Sequence, residues 1–219
     1  LVVLATVGAS APRHADAAVP EQVNAPLTYE LAETWHDLVR PTVAGHFLAP
    51  KDISSLPDAT VAVLDDAHGL RNPAAGIAND HAVHLVYPDG TPRGLVPLGD
   101  RFADTLRLDI GFDGRIDVLG RLRVGGTPWG VGHYDAGGAV PETYALTTPG
   151  TPVDVAVGPT GNTYVSMGVV PGGPHRIDVY TPAGVLVDTI IPPDRGADSR
   201  FTYELARLDV ATDGTIYVF

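Results

Sequence analysis

From Asp52 onward the chain alternates short runs of β-branched and apolar residues with clusters of Gly, Pro, Asp and Thr. Runs of this length, bounded by turn-forming residues, predict strands joined by tight turns. One pattern recurs at Asp52–Leu64, Asp109–Leu119, Asp154–Val165 and Asp209–Val218. Each copy is an Asp followed by Ile or Val, a short turn and an apolar strand. Asp113-Gly114 and Asp213-Gly214 are strong hairpin signals, because Gly takes the positive φ that such turns need. Ala59 stands in place of that Gly in the first copy, so its turn must differ or carry strain.

A second hairpin follows each of the first three copies. Val83–Tyr87 turns at Pro88-Asp89-Gly90, Gly132–Tyr134 at Asp135–Gly138, and Arg176–Tyr180 at Pro182-Ala183-Gly184. Tyr87, Tyr134 and Tyr180 recur at near-constant spacing and read as equivalents. Two hairpins make a four-stranded antiparallel unit of ~45–55 residues, the period of a propeller blade. Such a unit cannot bury both faces alone, so successive units must stack. A β-sandwich is the rival arrangement, but it would not repeat a motif at blade spacing. The expected fold is all-β: a β-propeller of four-stranded antiparallel blades, with three blades and the opening hairpin of a fourth. The expected division is 1–17, 18–43 and 44–219. The segment 18–43 includes Tyr29–Trp35, a strand that could close a ring. Thr28–Ala32 recurs as Thr202–Ala206, which fits an internal repeat.

The N-terminal run Leu1–Ala9 is too short to span a bilayer and fits the apolar core of a signal peptide, with cleavage after Ala17. It has no Met or basic stretch before it. The expectation is therefore a signal-peptide remnant, a secreted or extracytoplasmic protein, and a sequence that is a fragment at both ends. No other apolar run approaches membrane-spanning length.

Composition narrows the chemistry. Fourteen Lys and Arg stand against 26 Asp and Glu, a net charge of −12. Such a surface repels phosphates and argues against nucleic acid as a partner. Absence of Cys excludes disulfides, thiolate catalysis and Cys-ligated zinc. The sequence holds no G-x-S-x-G, P-loop or H-E-x-x-H pattern.

The Asp-Ile/Val hairpins, followed by Tyr-x-x-x-Gly, resemble NHL-repeat propellers over roughly residues 44–219, most closely at Asp154–Val165 and Asp209–Val218. The Asn-His-Leu triplet that names that family is absent from these copies. Streptogramin-lyase-like and gluconolactonase-like six-bladed propellers are neighbouring families. The resemblance implies a binding scaffold, with some relatives being lyases or hydrolases that hold a metal in the central channel.

Asp52, Asp109, Asp154 and Asp209 lead the four copies and would ring the channel if they occupy equivalent positions. A carboxylate ring has the chemistry to hold Ca²⁺ or a cationic group. The same carboxylates can instead bond backbone amides between blades, and their repetition favours this. His46 precedes the first copy and is a candidate ligand for Ca²⁺ or Zn²⁺ alongside them. His81 and His84 should face opposite sides of one strand. Gly125–Gly130 reads as a turn, and Trp35 and Trp129 as core residues or stacking surfaces. The reading is a monomeric, non-enzymatic scaffold for protein, peptide or glycan, with no catalytic residues and no cofactor. The alternative is a metal-dependent lyase or hydrolase at the channel.

Overall fold

The computed structural model describes residues 50–66, 81–126, 128–136, 142–168, 175–191 and 207–218. The signal-peptide remnant, the segment 18–43, His46, Trp35 and both Thr-Tyr-Glu-Leu-Ala pentapeptides lie outside the described residues.

The first four-stranded sheet consists of β1 (Pro50–Ser55), β2 (Val61–Asp66), β3 (His81–Val86) and β4 (Pro92–Pro97). The second contains β5 (Phe102–Ile110), β6 (Ile116–Leu122), β7 (Trp129–Tyr134) and β8 (Glu142–Ala145). The third contains β9 (Pro152–Val157), β10 (Thr163–Met167), β11 (Arg176–Tyr180) and β12 (Leu186–Ile190). A hairpin of β13 (Leu208–Val210) and β14 (Ile216–Val218) opens a fourth unit. Within every sheet the strands follow chain order and pair antiparallel. Two-hairpin units are thus what the alternation of strand and turn residues encodes.

The units stack through their faces. Leu56, Ala62, Leu64, Val83 and Leu85 of the first pack with Phe102, Leu108, Ile116 and Val118 of the second. Leu119 and Val131 of the second pack with Val155, Val165 and Met167 of the third, and Ala156 and Ile177 pack with Leu208, Val210 and Ile216. Side chains on a strand alternate between faces, so a strand buried on both sides reads as continuously apolar. β6 shows this, with Val118 facing one neighbour and Leu119 the other. The innermost-strand residues Leu108, Val155 and Leu208 are at most 6% exposed, whereas Ile53 in the same position of β1 is 61% exposed. The position faces the preceding unit, and among the described residues nothing precedes the first.

The opening turns have a common geometry. Leu56 N–H donates to Thr60 O (2.7 Å), Gly111 to Arg115 O (2.8 Å), Gly158 to Asn162 O (2.9 Å) and Ala211 to Thr215 O (2.9 Å). Ala59 takes φ +64°, in the left-handed region that Gly114, Gly161 and Gly214 occupy in the other copies. The turn of the first copy therefore keeps its form and carries the strain.

Two sequence alignments change. Tyr134 and Tyr180 are equivalent and buried, each ending its strand opposite Ile116 and Thr163. Val86, opposite Val61, holds that place in the first unit, and Tyr87 lies one residue further on, 44% exposed. A one-residue offset reverses the face a side chain meets. The Gly-rich stretch is also not all turn, because Trp129 and Gly130 belong to β7. Gly130 pairs with Gly120 of β6. A Cβ at Gly120 would collide with Asp104 O and the Phe102 ring, so the strand needs glycine there.

Candidate functional site

The innermost strands β1, β5, β9 and β13 border a cavity of about 320 Å³. Its polar lining is Asp52, Ser54, Ser55, Asp109, Asp154, Arg207 and Asp209. All four aspartates expected at the axis are therefore gathered at one site. Their equivalence fails, however. Counted back from the residue that opens each turn, Asp52 and Asp154 lie four residues away, whereas Asp109 and Asp209 lie two away. The first position reads Asp52, Arg107, Asp154, Arg207 through the four units, and the second reads Ser54, Asp109, Ala156, Asp209. Residues two apart share a strand face and sit ~6.6–6.8 Å apart along it. The expected single ring of carboxylates is thus two layers, each with acid in alternate units.

Each layer ties neighbouring units together. In the first, Asp52 Oδ2 accepts from Leu108 N (3.0 Å) and Asp154 Oδ2 from Leu208 N (2.8 Å). In the second, Asp109 Oδ2 accepts from Val157 N (2.7 Å). Every described junction between units thus has one carboxylate clamp, at one height or the other. The clamp always grips the amide one residue beyond its own level in the next unit. Where the first layer lacks an acid, in the second unit, Arg107 stands instead and the clamp moves to Asp109.

The arginines balance the first layer. Arg207 Nη1 donates to Asp52 Oδ1 (3.1 Å) and stands 4.0 Å from Asp154 Oδ1, while Arg107 Nε is 3.7 Å from the same oxygen. In the second layer Ser54 Oγ donates to Asp109 Oδ1 (3.1 Å). Burial pushes the Asp109 carboxyl up to about 7, against hydrogen bonds from Val157, Ile110 and Ser54 that lower it, and the Asp209 charge raises it further. Burial likewise raises the Asp154 carboxyl, with the Leu208 amide and Arg207 opposing. Among the described residues, no group of three or more His, Asp or Glu side chains is arranged to hold a metal ion.

Buried polar clusters away from the cavity were not foreseen. Asp117 on β6, fully buried, faces the third unit. Its carboxylate accepts from Arg115 Nε (2.9 Å) and Thr163 Oγ1 (2.7 Å) and meets His133 Nδ1 at 2.7 Å. Asp178 on β11 accepts from Arg176 Nε (3.0 Å), Thr148 Oγ1 (2.5 Å) and Thr189 Oγ1 (3.1 Å). The Arg-x-Asp spacing of Arg115/Asp117 and Arg176/Asp178 was the available signal, because residues two apart on a strand share a face. His81 and His84 do face opposite ways, His81 to Asp66 (2.7 Å) and His84 to Asp65 (3.4 Å).

No family model matches the sequence, and no curated protein does. Among solved structures, the streptogramin B lyase structure superimposes with a TM-score of 0.52 at 15% identity. The match covers 80% of this chain and 49% of that one. The fold is a β-propeller. A gluconolactonase from Xanthomonas campestris gives a TM-score of 0.47 at 17% identity, covering 76% of this chain and 54% of that one. The PQQ-bound aldose sugar dehydrogenase of Streptomyces coelicolor gives 0.46 at 17%, covering 82% and 58%. The chain spans about half the length of these propellers. Its four-stranded units are blades and the cavity lies on the axial side. Among the described residues no helix is long and apolar enough to cross a membrane.

Proposed function

We propose that the chain is part of an extracytoplasmic NHL-type propeller that acts as a binding scaffold, taking a protein, peptide or glycan ligand at the axial cavity. The observation that carries this reading is the commitment of the carboxylate oxygens. Both oxygens of Asp52 and both of Asp109 accept hydrogen bonds, and Asp154 uses one on Leu208 while Arg107 and Arg207 face the other. A metal would have to displace backbone donors that hold the blades together. A ligand that reads the cavity by shape and hydrogen bonds would not.

A second reading, a propeller lyase or hydrolase, is favoured by one feature. Asp109, raised to about 7, stands beside Asp209 and Ser54 at a cavity, and a carboxyl so tuned can exchange a proton near neutral pH.

Metal analysis of the purified full chain after equilibration with Ca²⁺ or Zn²⁺, paired with glycan and peptide array screening, separates the two. The scaffold reading expects an array ligand whose binding is lost in Ser54→Trp, which fills the cavity, and no stoichiometric metal. One equivalent of metal, lost in Asp109→Asn or His46→Ala, would sink it.

A further inference from the structure

Nine basic side chains belong to the described residues, and seven of them stand within 4 Å of an acid. With 26 acidic residues against 14 basic ones, such pairing is the expected outcome. The exceptions are Arg101 and Arg121, for which no acid lies that close among the described residues, and they occur together. Arg101 closes the 3-10 turn Gly99–Arg101 at the start of β5, and Arg123 N donates to Arg101 O (2.7 Å). Arg121, on β6, lies two residues before Arg123, which follows the last residue of that strand. Three arginines are thereby brought to one end of the second blade, all exposed.

Their neighbours leave them available. Arg123 has one acidic contact, Asp100 Oδ1 at 3.8 Å, through a carboxylate that is 73% exposed. Asp104, the cross-strand partner of Arg121, faces Lys51 at 3.7 Å instead. Arg121 lies over Trp129, its opposite partner on β7, with the guanidinium carbon 4.6 Å from the ring centroid. Stacking holds a guanidinium flat while its N–H edge stays free for a bidentate carboxylate. The chain's net charge does not cancel this patch, because screening at physiological salt confines each charge to about 8 Å.

We infer that Arg101, Arg121 and Arg123 form a docking ledge for an acidic peptide segment, separate from the axial cavity. Carboxylates of such a segment complement the three arginines, Arg101 being held beside Arg123 by the bond between their backbones.

A fluorescein-labelled dodecapeptide of alternating Glu and Thr, titrated with the full chain at low and physiological salt, tests this. Saturable binding is expected, weakening several-fold as salt rises. Arg101→Gln/Arg121→Gln should weaken it about tenfold or more, and Arg101→Gln/Arg123→Gln, which leaves the Trp129 stack intact, should act similarly. Arg93→Gln, on another blade, should leave it unchanged, and circular dichroism reports whether each variant is folded. Absence of saturable binding, or equal binding by folded ledge variants, overturns the proposal. Heparin bound at the same arginines with no peptide binding also overturns it, in favour of a sulfated glycan.

Discussion

Ala59→Gly should make this protein more stable. Ala59 holds φ +64° in a turn whose hydrogen bonds match those of the other opening turns. Its N–H donates to Leu56 O at 2.9 Å, as Gly114 does to Gly111 O. Asp58 Oδ1 accepts from Thr60 N at 3.0 Å, as Asp113 Oδ1 does from Arg115 N. Nothing in the geometry relieves the left-handed backbone. For an L-residue that conformation costs about 1–2 kcal/mol. Glycine removes this cost but frees the unfolded chain, which returns about 0.4–1 kcal/mol. The net gain is about 0.5–1 kcal/mol, or ~2–4 °C per kcal/mol in a chain of this size. Gly114→Ala and Gly214→Ala provide the converse. No heavy atom lies within 4 Å of a Cβ built at either, so their loss, about 0.5–1 kcal/mol, is purely conformational. Urea unfolding followed by circular dichroism measures all three. A neutral or destabilising Ala59→Gly at unchanged m-value would refute the strain argument. It would mean that Arg93, which bridges Asp58 (2.6 Å) and Thr60 (2.7 Å), depends on the alanine turn.

Further expectations follow from the clamps and buried charges. Asp109 is raised to about 7 when folded, so folding favours its protonated form. Stability should fall as pH rises from about 4 to 7, by up to ~4 kcal/mol, and Asp109→Asn should flatten this slope in pH-dependent melts. Asp154→Ala strands the buried Leu208 amide and should cost about 1–3 kcal/mol in urea unfolding. Asp117→Ala leaves Arg115 and His133 without their shared carboxylate and should cost about 3–5 kcal/mol, while Asp113→Ala, an exposed turn position, costs less.

Much of the fold was legible because the punctuation is local. Each Asp-Gly or Pro-x-Gly turn specifies its own hairpin, and a four-stranded unit is simply two hairpins in succession. The site was legible only by residue type. Aspartates were aligned by the letters Asp-Ile/Val, but what places a side chain on a strand is its distance from the turn. That distance was available, since Asp52 and Asp154 lie seven residues before Ala59 and Gly161, whereas Asp109 and Asp209 lie five before Gly114 and Gly214. Both distances are odd, so both positions face the same way, and the offset of two hides the second layer. Tyr87 misled for the same reason, because a shift of one residue past Val86 turns it outward. A single strand shows the Asp117 and Asp178 clusters only as the Arg-x-Asp spacing. Their partners Thr163 and Thr148 come from a neighbouring blade or the segment that joins two blades, and only packing brings them near.

Residue-resolved amide hydrogen exchange tests most directly whether the axial carboxylates join the blades. The amides of Leu108, Val157 and Leu208 should be protected in the wild-type chain. Asp154→Ala should speed exchange at Leu208 well beyond any change at Val157, and Asp109→Ala should do the reverse. Equal exchange at both amides in each variant, with the fold retained, would contradict the clamp account and return Asp109 and Asp154 to the status of free ligands.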